Sequence, residues 1–116
     1  MKIIPYTEIE PVSFDSDVVK GVQGRVAIGR EDGALNFCMR VFEVEPRGFT
    51  PRHSHAWEHE LFFHYGRGEV LKDGEWQEVE AGHVVFIPGG EEHQIRNSAK
   101  STLVFACLIP AGVPEL

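Results

Sequence analysis

Glycine and proline break this chain every eight to twelve residues, and between the breaks β-branched and aromatic residues alternate with polar ones. No stretch of eleven or more residues carries a helical apolar period, so the pattern excludes a helical or α/β fold. A chain of 116 residues has room for one domain, and this rhythm predicts an all-β sandwich or barrel spanning residues 1–116. Candidate strands are 25–29, 35–45, 50–55, 58–65, 68–72, 76–80, 83–87, 94–97 and 102–109. Asp73-Gly74, between two alternating runs, predicts a two-residue type I′ hairpin. The Pro-bearing ends, 1–11 and 110–116, read as arms.

Eighteen acidic against eleven basic residues give a net charge of −7, the wrong sign for affinity built on phosphate neutralisation, so nucleic acid is not an expected partner. The longest apolar run, 103–109, is seven residues and far too short to cross a bilayer. The start of the chain shows no apolar h-region, and a cytoplasmic location is expected. Cys38 and Cys107 then read as two reduced thiols in the core.

Six histidines are many for so short a chain, and four fall in a pattern: His53-Ser54-His55, His59 and His93. In a continuous strand His53, His55 and His59 share parity and point to one face, which is costly unless something binds their lone pairs. A second pattern follows. Gly82, five residues, Pro88, one residue, Gly90, two residues, His93, three residues, Asn97.

This second pattern matches the second motif of the cupin superfamily at every position, and His53, His55, His59 and Gly66 match the first; the chain therefore resembles a small single-domain cupin. The resemblance implies a double-stranded β-helix, or jelly-roll, barrel and a divalent transition metal, one per chain, held by His53, His55, His59 and His93. Two departures stand out. The place of the family's leading glycine holds Arg47, with Gly48 one residue later. The third ligand, most often glutamate in cupins, is here His59 or its neighbour Glu60; strand parity turns His59 inward, whereas a bulge would bring in Glu60 instead.

Four neutral imidazoles leave the full +2 charge of the ion uncompensated, which favours an anionic ligand in its open positions. Manganese is the metal the resemblance most suggests, while imidazole also suits iron, nickel, copper and zinc. The last strand, 102–109, is apolar on both faces; its odd set, Leu103, Phe105, Cys107 and Ile109, is expected to face inward and to bring Phe105 and Cys107 to the pocket. Arg40 interrupts an apolar strand and is expected either to hold a substrate carboxylate or to pair with a glutamate. Trp57 should pack at the pocket rim, His64 and His83 should be solvated, and Asn97 should bond backbone in a turn. Phe62, Phe63 and Phe86 exceed what one small barrel can enclose, so a homodimer is expected.

The expected function is a metal-dependent oxidoreductase of the dioxygenase or peroxide type acting on a small organic molecule, with oxidation favoured over hydrolysis because no positioned acid or base accompanies the ligands. Two alternatives stay open: a non-catalytic binding or sensing module, and a metal-dependent isomerase or lyase. The latter needs a general base, and parity turns the nearest carboxylates, Glu58 and Glu60, away.

Overall fold

Alternation along the last strand becomes alternation of face. In the computed structural model, which describes residues 1–116, nine antiparallel strands form one curled sheet. They are β1 (Val12–Phe14), β2 (Lys20–Ile28), β3 (Phe37–Phe49), β4 (His59–Tyr65), β5 (Arg67–Lys72), β6 (Glu75–Glu80), β7 (Val84–Ile87), β8 (Ile95–Arg96) and β9 (Leu103–Pro110). β9 lies between β3 and β4, and its Leu103, Phe105, Cys107 and Ile109 are at most 2% exposed, as their spacing predicts. They meet Val22, Val44, Leu61, Phe63, Val70, Ile87 and Ile95 in the barrel interior. The outward Val104 packs with Ala27 and Val41 beneath Tyr6, Ile9 and Met39. The N-terminal arm is thus a cover, tied down by Arg25, whose Nε donates to the Ile9 carbonyl at 2.8 Å and whose Nη1 meets Glu43 at 2.7 Å.

The strand order β6-β5-β8-β3-β9-β4-β7, with β2 on β3 and β1 on β2, curls the sheet into the all-β barrel expected from the sequence. The Asp73-Gly74 turn between β5 and β6 has φ of 52° and 78°, the left-handed pair that a type I′ hairpin demands. No helix is long and apolar enough to cross a membrane.

Three expectations need correction. Residues 50–55 are not a strand; only an isolated bridge pairs His53 with His93. β2 begins at Lys20 rather than at residue 25, and β1 lies in a stretch left without a strand assignment. Phe63 is core, fully buried, because β4 alternates from His59 to His64 and sends Phe62 outward instead, where it joins the exposed Phe86 and Val84.

β3 is long enough to serve two neighbours, pairing β9 over Phe37–Val44 and β8 at Phe49. Against β2 its register jumps from Val44↔Val22 to Phe49↔Lys20, and within that jump Arg47 has φ 69°. The residue in the place of the family's leading glycine therefore takes the backbone conformation that glycine would adopt freely. An L-residue pays about 1–2 kcal/mol for it, and Arg47 is exposed with no ion pair to lose. Arg47→Gly should raise stability by up to about 1 kcal/mol, after glycine's extra backbone entropy is subtracted. Chemical denaturation at constant m-value checks this.

Candidate metal centre

The two histidine motifs are knitted together by backbone. His53 and His93 exchange N–H···O bonds of 3.1 and 2.9 Å, and the Gly90 N–H donates to the His55 carbonyl at 2.7 Å. One residue earlier, a side chain on Gly89 would bring Cβ within 2.2 Å of the Ala56 carbonyl oxygen, so only glycine lets the two loops approach this closely. Thr50 adds a third tie, with its hydroxyl accepting from the Ile95 N–H at 2.9 Å. His53 and His55 thus line the cavity from a loop, not by strand parity, and His53 stays exposed. For His59 parity does hold: it opens β4 and is buried with Leu61 and Phe63, while Glu60 is exposed opposite Phe86 and Leu108.

One nitrogen from each of His53, His55 and His93 lies within 4.8 Å of the other two. Two rings are oriented from behind. His55 Nδ1 donates to the Trp57 carbonyl at 2.8 Å and His93 Nδ1 to the Glu91 carbonyl at 3.0 Å, so each Nε2 keeps its lone pair for the interior. His93 Nε2 is buried and has no hydrogen-bond partner. Trp57 stacks on the His55 ring, centroids 4.4 Å apart and planes 8° from parallel, which fixes its tilt. His59 stands outside this mutual triad, with its Nε2 2.5 Å from His55 Nε2 and its Nδ1 3.0 Å from Cys107 Sγ. Two imidazole nitrogens so close share a proton. The orphaned His93 Nε2 and the His55 lone pair, both aimed inward by their Nδ1 bonds, are what a divalent ion would satisfy, so the donor set fits one.

Burial pushes the His59 imidazole down to about 3, with the Arg40 charge and the neighbouring rings adding to it. His53 and His93 are lowered as well, chiefly by burial. The unfolded chain then takes up protons first. As pH falls from about 6.5 towards 3, metal-free protein should lose stability progressively, since protonation favours the state in which these rings are hydrated. Denaturation midpoints of chelator-treated protein across that range check the sign.

The rings open onto a cavity of about 370 Å³. Phe14, Phe42, Phe105, Trp57, Leu61 and Ile87 form most of its apolar wall, and no aspartate or glutamate lines it. Cys107 and Arg40 face each other across the β3–β9 pair and both line the cavity, as do Phe105 and Trp57. Burial raises the Cys107 thiol above its ordinary value. The expected alternative for Arg40, an ion pair with a glutamate, is not found; its guanidinium meets Cys107, His59 and a backbone carbonyl instead. His64 and His83 are exposed, and Asn97 closes a turn by donating to the Val44 and Ser101 carbonyls, both at 2.8 Å. Wall residues that the sequence did not reveal come from β1 and the segment after it, Phe14 and Val19, and from the C-terminal arm, Pro114 and Leu116.

A curled antiparallel barrel with two histidine-bearing loops joined at one end defines a small β-barrel protein of metal-site type. The family model for the Cupin domain matches residues 40–109, and the chain belongs to that family. It is similar to the polyketide cyclase RemF from Streptomyces resistomycificus, with 33% identity and a TM-score of 0.91 over 98% of this chain and 82% of that one. A cupin 2 conserved barrel domain protein from Rhodopseudomonas palustris is 27% identical, with a TM-score of 0.80 over 91% of this chain and 72% of that one. Among curated proteins, 1-methylthio-D-xylulose 5-phosphate methylsulfurylase of Rhodospirillum rubrum is 33% identical over 73 residues, 63% of this chain. That match spans 47% of the relative, about half its length.

Proposed function

We propose that this protein is a metal-dependent enzyme acting on a small, largely apolar organic molecule through a carbonyl group, in the manner of a cyclase. One observation carries the reading: three imidazoles converge at the end of an apolar cavity that no aspartate or glutamate lines. The near full-length similarity to a polyketide cyclase supports carbonyl chemistry over the oxidation expected from the sequence. His53, His55 and His93 would hold the ion, with His59 as the fourth ligand and Glu60 outside the set. When bound, the metal supplies Lewis acidity towards an oxygen of the substrate. Imidazole donors suit zinc by their softness, while manganese is the ion that the family resemblance suggests.

The chain's own residues do the rest. Phe42, Phe105 and Trp57 present faces to a planar substrate, and the aliphatic wall keeps water from it. The Trp57 and Glu91 carbonyls hold His55 and His93 in the ligating tautomer. His59 Nδ1 is turned towards Cys107 Sγ and the Arg40 guanidinium, which leaves Nε2 facing the other rings. The apolar outer face of β4 and β7, bearing Phe62, Val84 and Phe86, supports a homodimer.

Exchange of the α-protons of acetophenone in D2O, followed by NMR, tests the chemistry, with the buffer base as the proton acceptor because no aspartate or glutamate lines the cavity. Zinc-loaded protein should accelerate exchange over chelator-treated protein and consume no oxygen. Oxygen uptake by the iron or manganese form with an inert zinc form would restore the oxidoreductase reading. Saturable binding without turnover by any metal form would make the protein a binding module.

A further inference from the structure

Arg40 is only 8% exposed, yet no Asp or Glu carboxylate lies within 4.0 Å of its guanidinium. A buried cation is costly unless paired, so its five N–H donors merit a full account. Nη2 reaches Cys107 Sγ at 2.9 Å and His59 Nδ1 at 3.3 Å. Nη1 reaches the Glu115 carbonyl at 3.5 Å, the outer limit of a hydrogen bond. Nε is buried and has no partner. None of these neighbours is a carboxylate, and the remaining contact is the Phe42 ring, its centroid 4.9 Å from the guanidinium carbon.

The contrast with the other buried arginine is direct. Arg25, also 8% exposed, meets Glu43 at 2.7 Å and the Ile9 carbonyl at 2.8 Å. Arg40 alone of the two lines the cavity.

We propose that Arg40 anchors an anionic group of the substrate, and that the cavity therefore takes a small aromatic carboxylate. The carboxylate oxygens would replace the weak Glu115 carbonyl contact on the guanidinium, the bidentate geometry to which that fork is suited. The ring would lie against Phe42 and Phe105, with the far end of the molecule towards the histidines. An inorganic anion would leave the apolar wall unfilled, and a neutral aromatic would leave the guanidinium uncompensated. The inference rests on the cavity being the substrate site of the proposed enzyme, but not on its carbonyl chemistry.

Benzoate and its neutral isostere benzamide are the probes, titrated into full-length protein stripped of metal so that an ion cannot hold the carboxylate. Benzoate should bind roughly 10- to 100-fold more tightly than benzamide, the range that a charge-assisted hydrogen bond supplies. The Arg40 Nε–H cross-peak in a ¹H–¹⁵N spectrum should shift as benzoate saturates. Arg40→Met should abolish the preference, and Arg40→Lys should retain part of it. Equal binding of the two probes by the wild type, or a benzoate preference unchanged in Arg40→Met, would overturn the anchor. Binding of benzoate only after metal is restored, with the Nε–H signal unmoved, would overturn it too. Each reading survives failure of the acetophenone test, because none uses turnover.

Discussion

Stripping the divalent ion from the purified protein lowers its melting temperature by about 10 °C, and no such drop remains in a variant with His53 and His93 both changed to alanine. An ion bound only by the folded state stabilises it by about 2.7 kcal/mol at a hundredfold excess over Kd, and a domain near this size shifts by about 4 °C per kcal/mol. The effect should be large here because the ligands come from distant parts of the chain. His53 and His55 sit on the loop after β3, His59 on β4 and His93 before β8, so the ion cross-links segments that otherwise meet through a few backbone bonds. Differential scanning calorimetry with and without chelator reads the shift. A wild type whose melting is indifferent to chelator would remove the metal from the account.

Gly89→Ala should weaken metal binding at least tenfold while leaving the barrel folded. Its Cβ would stand 2.2 Å from the Ala56 carbonyl oxygen, a backbone atom that cannot rotate away. The loop carrying His53, His55 and Trp57 must then move, and overpacking of this kind costs about 1–3 kcal/mol. The strain falls on the loop rather than on the core cluster, so the loss should appear in affinity, read by competition with a chromophoric chelator. Gly74→Ala is the control. It meets nothing within 4 Å and strains only the β5–β6 hairpin, so metal affinity should be unchanged.

Where a period of two governs, the chain could be read directly. The inward set of β9, the Asp73-Gly74 hairpin and the choice of His59 over Glu60 as the buried neighbour all follow from alternation or turn chemistry. Where tertiary contacts govern, it could not. Residues 50–55 alternate like a strand, but they are held by the His53–His93 bridge, the Thr50 bonds and the close approach of Gly89, none of which has a local signature. Arg47 adopts a positive φ that no propensity assigns to arginine. β1 and the C-terminal arm carry too few residues to show a period, yet Phe14, Pro114 and Leu116 shape the cavity wall. The missing partner of Arg40 was hidden for a related reason. In a chain with eighteen acidic residues a nearby carboxylate is the natural expectation, and only the fold shows that none lies within reach.

Elemental analysis of protein purified without chelator, joined to pulsed EPR of the manganese- or copper-loaded form, bears most directly on the proposed four-histidine centre. The account predicts about one divalent ion per chain, coupled to imidazole nitrogens, with occupancy kept in Glu60→Gln and lost in the His53, His93 double variant. Full occupancy in that double variant, or loss of the ion in Glu60→Gln with retention in His59→Ala, would contradict it.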